Sequence, residues 1–239
     1  MIETRPLISI VVPAWNEAET IAYVVTDLEQ KFSEEGISFE IVVVDNGSTD
    51  GTGLVLEGLK EGAPHLKVVR VAKNAGYGNG ILCGLAEANG NILGWIDADG
   101  QSVAVDVAES LRLFLKERYD VCKGVRRARM DSTPRLIQSR VYNVLFRALF
   151  DVPFNDINAK PKFFTREVYE RTGLSSRDYF IDAELVIKAV RLGSRIGEIS
   201  VKGDVRHGGS SKVRIGTLFE FLKNMLVYKC RYGKKTEIN

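Results

Sequence analysis

The apolar positions of the first hundred residues form short continuous runs that alternate with stretches of helical spacing. Leu7-Ile8-Ser9-Ile10-Val11-Val12 is largely β-branched and is closed by Pro13, which reads as a buried strand. From Glu17 to about Lys31, Ile21, Val24, Val25 and Leu28 recur at helical spacing. Glu40-Ile41-Val42-Val43-Val44 reads as a second strand, ending in Asp45-Asn46-Gly47-Ser48-Thr49-Asp50-Gly51, and a helix follows from about Thr52 to Lys60. A third strand, Leu66 to Val71, leads through Lys73-Asn74-Ala75-Gly76-Tyr77-Gly78-Asn79-Gly80 into a helix reaching Ala88. The fourth apolar run, Ile92-Leu93-Gly94-Trp95-Ile96, stops at Asp97-Ala98-Asp99-Gly100-Gln101.

Strand and helix thus alternate four times, and the strands are apolar on both faces. This predicts an α/β fold with a mostly parallel central sheet sandwiched by helices. Right-handed crossovers bring the carboxyl ends of such strands to one edge, where open α/β sheets bind ligands. Asn16, Asp45, Asn74 and Asp97 each fall just after a strand and are expected along that edge.

The second half continues with a helix from about Val105 to Glu117 and a strand from Asp120 to Val125, followed by Arg126-Arg127-Ala128-Arg129. A helix from about Pro134 to Phe150 carries a broad apolar stripe together with Arg135, Arg140 and Arg147. Asn155-Asp156-Ile157-Asn158-Ala159-Lys160 is a loop before Pro161-Lys162-Phe163-Phe164, which reads as a short edge strand. Tyr179-Phe180-Ile181-Asp182-Ala183-Glu184-Leu185 opens a helix to about Leu192, and Ile196 to Val201 is a strand. The tail from Ile215 to Tyr232 interleaves Leu218, Phe219, Phe221, Leu222, Met225, Leu226 and Tyr228 with Lys223, Lys229 and Arg231. Such a helix either lies on an anionic membrane surface or packs back on the domain.

Charge sharpens this picture. Residues 1–100 hold 6 Lys+Arg against 15 Asp+Glu, a net −9, and residues 101–239 hold 27 against 16, a net +11. The second half is therefore expected to meet something anionic. Three scattered cysteines, Cys83, Cys122 and Cys230, suit a reducing cytoplasm rather than a disulfide framework. With only His65 and His207 and no C-x-x-C, a zinc site is not expected. No stretch has the order of a signal peptide or the length of a membrane span.

The chemistry points to Asp97 and Asp99. In an extended segment residues i and i+2 face the same way, and two carboxylates in one place need a cation between them. Mg²⁺ or Mn²⁺ completed by a substrate's phosphates fits such a ligand set, and a polar turn is the competing reading. The glycines at 76, 78 and 80 fit neither the dinucleotide-binding spacing nor a P-loop. Asp45, after the second strand, suits hydrogen bonding to a base or ribose, or else an Asx turn.

Val12-Pro13-Ala14-Trp15-Asn16-Glu17, Val44-Asp45-Asn46-Gly47-Ser48-Thr49-Asp50-Gly51, Asn74-Ala75-Gly76 and Asp97-Ala98-Asp99-Gly100-Gln101 resemble the successive motifs of family 2 inverting glycosyltransferases of the GT-A fold. Within that family the chain looks like the polyprenyl-phosphate (dolichol-phosphate) mannosyl- and glucosyltransferases, over about residues 7–215. The resemblance implies one catalytic domain over residues 1–239. Its parts are a nucleotide-sugar-binding half (1–103), an acceptor-binding half (104–214) and a C-terminal amphipathic helix and tail (215–239). It implies donor binding by Pro13, Ala14, Asn16, Glu17, Asp45, Asn74, Gly76, Ala98 and Lys212, with Mg²⁺ or Mn²⁺ at Asp97, Asp99 and Gln101. Two departures stand out: Gly76-Tyr77-Gly78-Asn79 lies where the family often carries Lys, and Asn46 replaces the usual second Asp.

On the acceptor side the resemblance implies that Arg126 and Arg140 receive a phosphate, through the planar fork that suits Arg to this role. It places Asp156 near the donor sugar and Asp182 at an active-site acid, although a helix's first turn favours an acid anyway. Arg206-His207-Gly208-Gly209-Ser210-Ser211-Lys212 is similar to the family's R-x-x-G-x-S-K segment, so Arg206, Ser210 and Lys212 are expected diphosphate or acceptor-phosphate contacts. The expected reaction moves a hexose from a GDP-mannose- or UDP-glucose-type donor to a polyprenyl phosphate. The alternative elongates a cell-surface glycan with Asp182 as base. A nucleotidyltransferase would be expected to show a glycine-rich, basic loop after the first strand, where this chain has Ala14-Trp15-Asn16. Expected partners are the nucleotide sugar, the acceptor and the cytoplasmic membrane face, not nucleic acid, and a homodimer is compatible with the sequence.

Overall fold

The computed structural model describes residues 6–126, 143–202, 223 and 225–230. Arg140, Arg206, His207, Ser210 and Lys212, and most of the tail, lie outside them. Seven strands form one sheet: β1 (Ile8–Ala14), β2 (Phe39–Asn46), β3 (Leu66–Val71), β4 (Ile92–Trp95), β5 (Val121–Arg126), β6 (Lys162–Thr165) and β7 (Ile196–Val201). Their order is β3-β2-β1-β4-β6-β5-β7. The pairs β3·β2, β2·β1, β1·β4 and β5·β7 are parallel, whereas β6 runs antiparallel to both of its neighbours.

Alternation along the strands explains the two-faced core. Ile8, Ile10, Val12, Ile41 and Val43 join the buried cluster built with α1 (Ile21–Glu34), α2 (Thr52–Leu59) and α4 (Ala104–Glu117). The intervening Val11, Val42 and Val44, with Leu93 and Trp95, face α3 (Tyr77–Glu87), α6 (Arg166–Thr172) and α7 (Ile181–Arg191). Gly84 lets α3 lie close on the sheet, because a Cβ there would run into Val11 and Val44. A third cluster joins Phe146 and Phe150 of α5 (143–150), Phe180, Val186 and Ile187, and Met225 and Tyr228 of α8 (225–230).

Three expectations need correction. Strand β1 runs through Pro13 to Ala14 rather than stopping there. The Leu7 and Val11 carbonyls accept from Ile92 and Ile96, so the N side of Pro13 faces β4, whose pairing with β1 ends at Val11↔Trp95. A ring without an N–H is tolerated at that point. Second, Pro161-Lys162-Phe163-Phe164 does not lie at an edge, since β6 is held between β4 and β5. Pro161 and a charged Lys162 imitate an edge strand, but the Lys162 ammonium is satisfied from within by the Ile157 and Ala159 carbonyls at 2.7 and 2.8 Å. Third, α6 had no counterpart among the sequence-based elements. It is a short helix capped by Thr165, whose side chain accepts from the Val168 N–H.

Candidate active site

The parallel strands deliver their carboxyl ends to one edge, and side-chain hydrogen bonds bind the loops there into a unit. Asn16 adopts a left-handed backbone (φ 53°). Its Oδ1 accepts from the Thr49 N–H at 2.8 Å, and its own N–H donates to Ser48 Oγ at 3.0 Å. The Glu17 N–H donates to Thr52 Oγ1, and the Ser48 N–H to Asp45 Oδ1 at 3.0 Å. The loops after β1 and β2 thus hold each other. Asp50 gathers the Thr52 hydroxyl and the Thr52 and Ala18 amides. Burial alone would raise its carboxyl, and these donors hold it below the usual value.

Asp97 follows the end of β4, and the chain turns at Ala98 and Asp99, so the second carboxylate stands in a turn rather than in the strand itself. Buried Ile96 and Ala98 anchor the turn in the core, and the Ala98 carbonyl accepts from Thr20 Oγ1 at 2.8 Å. Gly100 takes φ 78°, and the Gln101 N–H returns to Asp99 Oδ1 at 3.1 Å. Asp97 is half-buried, Asp99 is buried and Gln101 is exposed. Among the described residues no group of three or more His, Cys, Asp or Glu gathers as a metal cage. Two hard carboxylates at a strand end suit Mg²⁺ or Mn²⁺ whose remaining positions are filled by a ligand's phosphates, which is how such ions bind without a full protein cage.

Behind Asp97 lies a group that the sequence did not announce. The Tyr77 hydroxyl donates to Asp97 Oδ1 at 2.6 Å. Its ring stacks on Tyr179, with centroids 5.0 Å apart and planes at 16°, and the Lys160 ammonium lies 5.4 Å from its centroid. Burial and the nearby Asp97 and Asp182 carboxylates push the phenol well above its usual value, which keeps it protonated. Lys160 bonds Asp182 Oδ2 at 2.7 Å, Lys162 reaches Asp182 Oδ1 at 3.1 Å, and Trp95 Nε1–H donates to the same oxygen at 3.0 Å.

Asp182 is 2% exposed. Burial would raise its carboxyl, yet Lys160 and Lys162 outweigh burial and hold it below the usual value. The lysines separate in turn. Burial would lower Lys160, but Asp182 and Asp97 raise it, whereas burial pushes Lys162 down to about 7. Asp182 is therefore held between two lysines.

Arg126 and Asp156, two separate candidates from the sequence, are each other's partners. Nε and Nη2 of Arg126 donate to Asp156 Oδ2 and Oδ1 at 3.0 and 2.8 Å, with Asp156 in a left-handed backbone (φ 47°). The guanidinium sits at the C-terminal end of β5 and is partly exposed. Asn46 is buried, and its Nδ2 donates to the Gly76 carbonyl at 2.9 Å. The residue that replaces the family's second Asp thus braces the neighbouring loop. Lys160, Lys162 and Tyr77 were overlooked for one reason: a Lys-Pro-Lys at a strand start and a Tyr between glycines read as turn and edge chemistry.

A model of the family described as glycosyl transferase family 2 matches residues 9–177. An undecaprenyl-phosphate 4-deoxy-4-formamido-L-arabinose transferase of Shewanella sediminis is 28% identical over 222 residues, 92% of this chain and 65% of that protein. Its counterpart in Yersinia enterocolitica is 26% identical over 221 residues, 92% of this chain and 66% of that protein. The chain thus spans just under two thirds of these relatives. Glucosyl-3-phosphoglycerate synthase of Mycobacterium tuberculosis, crystallised with Mn²⁺, UDP and phosphoglyceric acid, superposes with a TM-score of 0.75 at 23% identity, covering 94% of this chain and 78% of that one. The same enzyme with Mg²⁺ and UDP gives 0.72 at 22% identity, covering 97% and 81%.

Proposed function

The chain belongs to glycosyl transferase family 2, and from that membership we propose that it transfers a hexose-type sugar from a nucleoside-diphosphate donor to a polyprenyl phosphate in a metal-dependent, inverting reaction. The observation that carries this reading is the placement of Asp97 and Asp99 at the end of central β4, beside the interlocked loops after β1 and β2. The names of the relatives support a polyprenyl-phosphate acceptor, and the excess of cations after residue 100 agrees with it.

In this reading the ends of β1 and β2, with Pro13, Ala14 and Asp45, and the loop with Asn16 and Glu17 receive the nucleoside, with Asn74 and Gly76 after the neighbouring strand. Asp97 and Asp99, with Gln101 beside them, would hold the divalent ion. Such an ion offsets the charge that develops on the leaving diphosphate. An acceptor phosphate oxygen forms the new bond to the anomeric carbon while the bond to the diphosphate breaks, and its electron pair leaves with the nucleoside diphosphate. No proton has to be removed, because a lipid phosphate is already ionised at neutral pH. The locked state of Asp182 supports this acceptor over a sugar hydroxyl, which needs a general base. Arg126 supplies a cation on the acceptor side, and Arg140, Arg206 and Lys212 are assigned there by sequence motif alone.

Radiolabelled UDP-glucose and GDP-mannose, incubated with Mn²⁺ and a polyprenyl phosphate, test the reading. A lipid-linked product is expected, and Asp97→Asn is expected to lower its formation at least ~100-fold with the melting temperature retained. Full activity in Asp97→Asn, or transfer only to a sugar hydroxyl, sinks it.

A further inference from the structure

The glycines at 76, 78 and 80 fit no phosphate-binding spacing, yet the structure gives the first two a clear task. A Cβ on Gly76 would collide with the Arg177 carbonyl, and one on Gly78 with the Ser176 carbonyl. Gly76 also takes φ 110°, which side chains rarely adopt. The Asn79 N–H donates to the Arg177 carbonyl at 2.9 Å, and Asn46 holds the Gly76 carbonyl from the other side. The N-terminus of α3 is thus pressed against segment 176–179, and the fit stacks Tyr77 on Tyr179. The Lys160 ammonium also lies over the Tyr77 ring, held in turn by Asp182.

We propose that Tyr77 is a positioning residue for the metal-bearing carboxylate, its hydroxyl fixing Oδ1 of Asp97 so that Oδ2 is aimed at the ion and diphosphate. The inference rests on the assignment of Asp97 as a metal ligand. Carboxylates that ligate metals are commonly oriented by such outer hydrogen bonds, and losing one typically weakens binding 10–100-fold. The ring contacts restrict the phenol to one orientation. Glycines that looked like a failed phosphate loop therefore build a rigid support for the neighbouring strand end.

The test uses the full chain with Mn²⁺ and UDP, and in parallel Mn²⁺ and GDP. Tyr77→Phe keeps the ring, its stacking and its cation contact, and removes only the hydroxyl. Manganese affinity at saturating nucleotide, read from the free-ion EPR signal, is expected to fall ~10-fold. Metal-free nucleotide affinity and melting temperature are expected to stay at wild-type values, a split that a merely structural role would not produce. The EPR lineshape of bound Mn²⁺ should broaden as the carboxylate gains freedom. If Asp97→Asn loses Mn²⁺ while Tyr77→Phe binds it as wild type does, the positioning role is overturned and the site assignment stands. If Asp97→Asn binds Mn²⁺ as wild type does, or the wild type binds none with either nucleotide, both fall together.

Discussion

At the scale of single residues, the candidate site depends on positions where one extra atom cannot be accommodated. Gly76 is the clearest, because its positive φ and the Arg177 carbonyl each exclude a methyl group. Gly76→Ala is expected to cost at least ~2 kcal/mol, combining backbone strain with the shift of a neighbouring loop. A thermal melt checks this, with Gly173→Ala as a comparison, since Gly173 also has positive φ but nothing within 4 Å of the added atom. Equal losses in the two variants would mean that strain alone matters and that the close fit to residues 176–178 does not. The Arg126–Asp156 fork adds a second lesson at this scale. Two candidates named independently turn out to be one unit, so substituting either changes the other's geometry, and their effects should not be added.

Among the elements, β6 shows what the chain order hides. It threads antiparallel between β4 and β5 and carries Lys162 into a fully buried position. Its ammonium is pushed down to about 7 by burial, against an ordinary value of 10.5. Between these values the unfolded chain holds a proton that the native lysine has shed, so stability rises with pH across that window. Below about 7 both states hold the proton and this contribution is flat. Wild type is therefore expected to gain more in melting temperature from about pH 7 to about pH 9.5 than Lys162→Met does, because the variant lacks the titrating group. Parallel profiles for the two proteins would assign the proton elsewhere.

This element also marks where sequence reading ends. Strands β1, β2 and β4 were legible because each buries both faces in a nearly continuous apolar run, whereas the edge strand β3, interrupted by Lys67 and Arg70 and only half-buried, was legible from its β-branched residues. The order in which β5, β6 and β7 join the sheet depends on long-range pairing that periodicity does not encode. The Asp-Ala-Asp turn was legible as chemistry, and its bracing by Tyr77 was not. That contact spans 20 residues and depends on two glycines fitting a distant loop.

For the whole molecule, the uneven charge makes a statement about association. A first stretch of net −9, residues 1–100, joins a second of net +11, and such a split suits association with an anionic surface. No helix among the described residues is long and apolar enough to cross a membrane. Helix α8 packs back through Met225 and Tyr228 while Leu226 and Val227 stand 57% and 49% exposed beside Lys229, and Val144 of α5 is 54% exposed. In its described part the tail helix packs back on the domain through one face and leaves the other face open. We propose that this open face and the surrounding cations bring the protein onto anionic bilayers. Each Lys or Arg near such a surface contributes about 1 kcal/mol, and that contribution fades as salt shortens the screening length from about 10 Å at 0.1 M to about 3 Å at 1 M. Vesicles containing phosphatidylglycerol should therefore sediment the protein at low salt and release most of it near 0.5 M, a salt level set by the same screening argument. Vesicles of phosphatidylcholine alone should not bind it. Replacing Leu226 and Val227 together by Ser should weaken capture at low salt and leave the melting temperature in place, because neither side chain lies in the core. Capture that ignores salt would point instead to apolar insertion alone, and capture that ignores both changes would place the membrane contact on another surface of the molecule.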